Sequence, residues 1–190
     1  QHDKLVKSKI KLRKRKRIYL EDARYFVEEV RKKVINSYGF DKVYKKGFNI
    51  KTPINLNLQN IATKSLRNGL EKYDKRRGWR GALLNKKINE KWIEGLEEFK
   101  LEKSFQWELA IVKRIDKFEV IVETEKNKNG IIKYEDINWT RKPLNKLFTI
   151  GDIIYVKKIS EGNYSLKQIP LANGGIVVMD PFSGRILAMS

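Results

Sequence analysis

Gly175-Ile176-Val177-Val178-Met179-Asp180-Pro181-Phe182-Ser183-Gly184-Arg185-Ile186-Leu187-Ala188-Met189 is the stretch that decides how this chain is read. Residues 175–179 form a β-branched run, 180–184 a turn, and 185–189 a second apolar run. Pro181 presets the φ that the turn's second residue needs, and Gly184 can take the positive φ of a G1-type bulge, so the stretch reads as a β-hairpin. Two strands that are apolar at most positions expect cover on both faces, and a lone hairpin is marginal in water. Its partners lie elsewhere.

Working back from the hairpin, the apolar pattern has a period of two over most of residues 105–169. Strands are expected over 105–115 and 118–125 around a tight Asp116-Lys117 turn. Asn129-Gly130 then introduces a third strand over 131–134. One helical turn is expected over 134–139, closed by Pro143. Gly151-Asp152 opens a strand over 153–159, residues 160–163 turn, and 164–169 return. Five short strands with one helical interruption after the third suit a small, partly open Greek-key barrel of oligonucleotide/oligosaccharide-binding (OB) type.

Ahead of the barrel the period changes to that of helices. A short helix is expected over 89–99, with Trp92, Ile93, Leu96 and Phe99 inward. Asn55 caps the best helix in the chain, in which Leu58, Ile61, Ala62, Ser65, Leu66, Gly69, Leu70 and Tyr73 recur at spacings of three and four. Gly78 ends it behind the basic last turn Lys75-Arg76-Arg77, which suits the helix dipole. Residues 47–54 alternate Phe48, Ile50 and Thr52 against Asn49 and Lys51 and read as a strand. Residues 21–38 read as an amphipathic helix stopped by Gly39, with Phe26, Val27, Val30, Val34, Ile35 and Tyr38 on one side.

The chain has 190 residues, 41% of them hydrophobic and 11% aromatic, enough for a real core. No apolar run approaches the ~18 residues of a membrane helix. Neither a starting Met nor a signal peptide is present, and the chain is read as a soluble fragment of something longer. Cysteine is absent, which excludes disulfides and thiol chemistry and fits an oxidising compartment, and the single histidine is His2. Zinc sites of Cys and His are therefore excluded, and no metal or cofactor is expected.

The net charge is +19, and residues 1–17 alone carry nine Lys/Arg against Asp3. Residues 1–20 are expected to be disordered, with an anionic membrane surface as their natural partner. Nucleic acid is the less favoured polyanion, since Lys and Asn in this abundance also make ordinary solvated surface. The Ser8-x-x-Lys11 match to penicillin-reactive motifs lies in this block, which has neither the apolar face nor the partner carboxylate that would hold the lysine near neutral.

Several phrases, in one order, resemble the class A (bifunctional) penicillin-binding proteins. The hairpin is similar to the opening of their transpeptidase domain. Tyr25-Phe26-Val27-Glu28-Glu29-Val30-Arg31 resembles the linker that leaves the glycosyltransferase domain, with Arg24 where the family has Pro. Residues 51–59 stand in place of the family's Thr-Thr-Leu-Asp-x-x-Leu-Gln segment, and Tyr73-Asp74-Lys75-Arg76-Arg77-Gly78-Trp79-Arg80-Gly81 follows the family closely. Trp139-Thr140-Arg141, Gly151-Asp152-Ile153-Ile154-Tyr155-Val156 and Gln168-Ile169-Pro170 resemble the barrel inserted in the Gram-negative members.

The resemblance implies an α+β, mainly β fold: a five-stranded OB-like barrel inserted between a strand-helix unit and the hairpin of an incomplete transpeptidase scaffold, with an N-terminal linker helix. The implied parts are a basic segment 1–20, a linker helix 21–46, the first scaffold strand and helix 47–81, the inserted domain 82–170 with its barrel at about 105–169, and the hairpin 171–190. The implied parent sits at the periplasmic face of a bacterial inner membrane, polymerises glycan strands and cross-links their peptides through an acyl-serine.

The residues for that chemistry are not found here. Lys51-Thr52-Pro53 is not Lys-Thr-Gly, and no serine has a lysine held to deprotonate it. No catalytic residue is assigned, and the fragment alone is expected to be inert. Implied partners are the parent's own glycosyltransferase and transpeptidase domains and periplasmic regulatory proteins or peptidoglycan. Barrels of this type bind through loops and one face. Here the binding candidates are Lys126, Lys128, Asn129, Trp139, Arg141, Lys142 and Asn163. The competing reading, a stand-alone basic nucleic-acid-binding barrel, wants Phe105, Trp107 and Phe118 outward beside Lys113, Arg114 and Lys117.

Overall fold

The computed structural model describes residues 23–89, 91–101, 105–126 and 129–190. The basic segment 1–20, its Ser8-x-x-Lys11 motif and Lys128 lie outside the described residues. The described residues form two compact units: residues 23–64 with Gly175–Ser190, and Ser65–Gly174.

In the first unit, α1 (Arg24–Tyr38) buries Phe26 and leaves Glu28–Arg31 and Glu29–Lys32 ion pairs outside. Gly39 ends it at φ +81°, its N–H bonded to the Ile35 carbonyl at 2.7 Å. A second short helix, α2 (Phe40–Lys46), follows. Residues 47–54 join no strand ladder, contrary to the alternation of Phe48, Ile50 and Thr52. A strand needs a neighbour, and among the described residues nothing pairs with this segment; Phe48 and Ile50 are exposed.

Asn55 caps α3 (Leu56–Arg76), its side-chain carbonyl accepting from the amides of Asn57 at 3.0 Å and Leu58 at 3.1 Å. Asn55, Gln59 and Thr63 recur every fourth residue, which places them on one stripe of the helix. That stripe meets the hairpin. The Asn55 amide donates to the Leu187 carbonyl (2.8 Å), and buried Gln59 both donates to the Met189 carbonyl (2.8 Å) and accepts from its amide (2.9 Å).

The second unit is the barrel. After the two-residue β1 (Leu84–Asn85) come β2 (Trp107–Ile115), β3 (Glu119–Thr124), β4 (Asn129–Lys133), β5 (Asp152–Ser160) and β6 (Asn163–Lys167). β2 pairs antiparallel with β3 and β5, β3 with β4, and β5 with β6. A parallel contact of Ile131 with Asn163 closes β4 on β6. This is a closed five-stranded OB-like barrel.

Alternation decides which side chains enter it. Ala110, Val112, Val120, Val122, Ile132, Ile154, Val156, Tyr164 and Leu166 fill the interior. At about 1.5–3 kcal/mol for each large side chain fully buried, this cluster is the unit's main source of stability.

The runs Leu109–Val112 and Ile153–Val156 are apolar without a break because β2 and β5 are covered on both faces. Leu109, Ile111, Ile153 and Tyr155 point outward and pack with Trp92 and Leu96 of the preceding segment. That segment is not the expected helix over 89–99. It is a set of turns in which Gly95 stands at φ +76°, ending in a single 3-10 turn at Glu97–Phe99. A left-handed residue breaks the helical ladder, yet Trp92 and Leu96 are still delivered inward.

Between β4 and β5 run two short helices, α4 (Tyr134–Ile137) and α5 (Leu144–Leu147). Pro143 does not close the first; it precedes the second, where its fixed φ is harmless. Ile137, Leu144, Leu147 and Phe148 belong to the barrel cluster, so the pair forms a plug.

The hairpin, β7 (Val177–Met179) and β8 (Ile186–Met189), forms as expected, with Gly184 at φ +67°. Asp180 accepts from the Phe182 amide at 3.2 Å and from the Ser183 hydroxyl, which locks the turn.

Candidate binding surfaces of the barrel

Strand direction sorts the candidate residues onto different ends. β2 ends where β3 and β5 begin, and β4 ends there too. Its opposite end gathers the start of β2, the end of β3, the start of β4, the end of β5 and the start of β6. Lys126, Asn129 and Asn163 lie at this second end. Trp139, Arg141 and Lys142 belong to the plug, which follows β4.

Two of the candidates at the second end are bonded within the barrel. Lys126 donates to Glu108 at 2.8 Å, a bond that raises its pKa, and Asn163 donates to the Ser160 hydroxyl at 3.0 Å and the Glu161 carbonyl at 3.2 Å. Asn129 is exposed and pairs across the ladder with Glu123.

Trp139 is half-buried. Its ring meets Trp79 edge-on at 6.3 Å and lies 5.3 Å from the Lys75 ammonium, while both indole N–H groups are buried without an acceptor. Burial, and next the nearby Lys167 charge, lower the Lys75 pKa. Arg141 and Lys142 are exposed, and Arg141 stands at φ +57°. A side chain in the left-handed region costs stability and is held only where the surroundings fix it. Here the Arg141 amide bonds to the Asn138 carbonyl at 3.0 Å, and the Thr140 hydroxyl to that of Ile137 at 2.8 Å.

Sequence reasoning missed a hub at Asp74. This carboxylate, 2% exposed, accepts from the Arg80 guanidinium at 2.7 Å, the Gln168 amide at 2.7 Å and the Leu171 backbone at 3.3 Å. Gln168 also donates to the Gly78 carbonyl at 2.9 Å, and Arg80 reaches the Ile169 carbonyl. The chain therefore enters and leaves the barrel through one polar knot. Burial raises the Asp74 pKa, but these three donors outweigh it and hold it below the usual carboxylate value. The helical setting hid this: Asp74 among Lys72, Lys75, Arg76 and Arg77 looks like one more solvated charge.

The aromatic residues fall unevenly. Phe105 lies under the Arg67 guanidinium at 4.7 Å, and Trp107 under the Lys167 ammonium at 5.5 Å, with Lys167 also paired to Glu71 at 2.5 Å. Phe118 stands out at 68% exposed, beside Lys117. Lys113 pairs with Glu123, which also accepts from the Trp92 indole at 3.2 Å; the Lys113 bond above all lowers the Glu123 pKa.

Among the described residues no group of His, Asp and Glu is arranged to hold a metal, and no helix is long and apolar enough to cross a membrane.

Residues 59–172 match the family described as the penicillin-binding protein OB-like domain. The chain is 33% identical over 187 residues to penicillin-binding protein 1A of Rickettsia bellii, covering 96% of this chain and 23% of that protein. With penicillin-binding protein 1A of Pseudomonas aeruginosa the identity is 28% over 182 residues, covering 88% and 22%. The crystal structure of penicillin-binding protein 1A from Haemophilus influenzae matches 100% of this chain and 28% of its own, with a TM-score of 0.72 and 26% identity. The chain thus spans about a quarter of the length of the curated relatives it matches.

Proposed function

The chain belongs to the penicillin-binding proteins that carry an OB-like domain, and from that premise we propose that it is a non-catalytic segment of a bifunctional peptidoglycan synthase whose barrel serves as a docking or regulatory module. The parent would polymerise glycan strands and cross-link their peptides at the periplasmic face of an inner membrane. This segment would supply the linker helix, part of the transpeptidase scaffold and the inserted barrel.

One observation carries the reading. The polypeptide enters the barrel at Gly78–Arg80 and leaves at Gln168–Leu171, and both passages are tied to the single carboxylate of Asp74. An insertion closed at its neck is a module that can present surfaces without the scaffold being interrupted. The nucleic-acid alternative is less well served, because each of its three rings already lies under a cationic side chain, Phe105 under Arg67, Trp107 under Lys167 and Phe118 under Lys117, and of the three Phe118 is the one that stands largely exposed.

The test has two arms. The purified chain incubated with a fluorescent penicillin should take no covalent label; a labelled band sinks the non-catalytic reading. In the full-length parent, replacing residues 82–169 by a short linker should preserve penicillin labelling and abolish rescue of a strain lacking the synthase. Full rescue would remove any docking or regulatory role.

A further inference from the structure

We propose that the plugged end of the barrel is a docking face for an acidic protein segment with apolar side chains among its carboxylates. The proposal rests on the docking reading above and assigns it a surface and a chemistry.

The face is assembled by topology. The β2–β3 turn brings Phe118 to the end of the barrel where β4 gives way to the plug, and the Tyr134 amide bonds to the Phe118 carbonyl at 2.8 Å. The loop before β5 comes to the same end, since the Gly151 amide bonds to the Val112 carbonyl at 2.8 Å. Phe118, Tyr134 and Ile150 are 68%, 38% and 55% exposed, while the inner side of the same plug is dry core. Three exposed large apolar side chains brought to one end of a small barrel suit a contact surface.

Charge says what covers it. Residues 133–150 carry Lys133, Arg141, Lys142 and Lys146 against Glu135 and Asp136, and Lys117 adds a further cation next to Phe118. Among the described residues none of these five cations is in an ion pair, in contrast to Lys126, Lys113 and Lys167 elsewhere on the barrel. Apolar anchors at an end of the barrel whose turn and plug carry these cations outside any ion pair among the described residues fit a partner of the opposite pattern. The left-handed Arg141 is a second sign: a residue that glycine would replace without strain is an arginine, held with its guanidinium exposed.

The experiment is fluorescence anisotropy with the whole chain. The probe is a labelled twelve-residue peptide of three Glu-Glu-Leu-Phe repeats. Comparison probes are three Glu-Glu-Ser-Ser repeats, a twelve-nucleotide oligothymidine, and phosphatidylglycerol vesicles in a sedimentation assay. The apolar acidic peptide should bind best, and its affinity should fall as salt rises from about 50 to about 300 mM. Phe118→Ser, and separately Arg141→Glu with Lys142→Glu, should each weaken it about tenfold or more.

Lys126→Ala with Asn163→Ala, at the opposite end, should leave it unchanged. Arg141→Gly, which suits the backbone and removes the cation, should keep the wild-type melting temperature and still lose affinity. Binding that the apolar-free peptide, the oligonucleotide or the vesicles match, binding lost only in the opposite-end variant, or no binding at all would each overturn the assignment. A docking role elsewhere on the barrel would still be decided by the replacement of residues 82–169 in the parent.

Discussion

Replacing Asp74 by Asn keeps the shape of the neck and removes its charge. In the wild type one oxygen accepts from Arg80 and Leu171 and the other from Gln168. An amide can offer an acceptor to only one of these sides; its NH2 then faces another donor. Breaking a buried ion pair costs about 3–5 kcal/mol when the stranded charge stays dry. Arg80 is 34% exposed and can rehydrate, so the loss falls toward about 2 kcal/mol, the scale of one buried polar group left unsatisfied. For a chain of this length that is about 4–8 °C in melting temperature.

Because the chain holds two units, hydrogen exchange at Leu171 and along β6 gives the cleaner reading, with protection falling by a factor of about 30. The sign with pH follows from the depressed pKa. The contribution is complete above the ordinary carboxylate value of 3.8 and is lost as pH falls through the lower folded value. The gap between wild type and Asp74→Asn should therefore be constant from neutral pH down to about 5 and close only in strong acid. An unchanged melting temperature, together with no coupling in a double-mutant cycle with Gln168→Ala, would refute the hub.

Two further substitutions probe other contacts. Gln59→Leu strands the amide and carbonyl of Met189 against an apolar side chain and should cost about 2–4 kcal/mol, read as lost exchange protection at Met189 with β2–β6 unaffected. Gly151→Ala should destabilise the barrel by more than about 2 kcal/mol in denaturant melts, because the residue stands at φ +92° and an added Cβ would sit 2.2 Å from the Lys86 carbonyl oxygen.

Local signals carried far into this fold wherever the cause is local. The turn at Asp180–Gly184 is written in residues that satisfy their own backbone, and Asn55 starts a helix by bonding its own first turn, so both could be read without knowing their surroundings. The barrel strands were legible because alternation reports one wet face and one dry face. The unbroken runs in β2 and β5 carried the sign of a second buried face, but not what lies on it; that is settled by Trp92 and Leu96, delivered by turns around Gly95 that imitate a helix in spacing alone.

Residues 47–54 failed for the converse reason: alternation states a preference, and a strand exists only when something pairs with it. The candidate surface divided the same way. Lys126 and Asn163 advertise polarity in loops, and both are bonded to neighbours within the barrel, whereas Arg141 and Lys142 form no ion pair among the described residues. No sequence pattern distinguishes a spent charge from an available one, because the difference lies in the partner that strand direction brings within reach. Phe118 has the same limit: the sequence allows it outward beside Lys117, as the nucleic-acid reading asks, but only the turn between β2 and β3 brings it beside the plug.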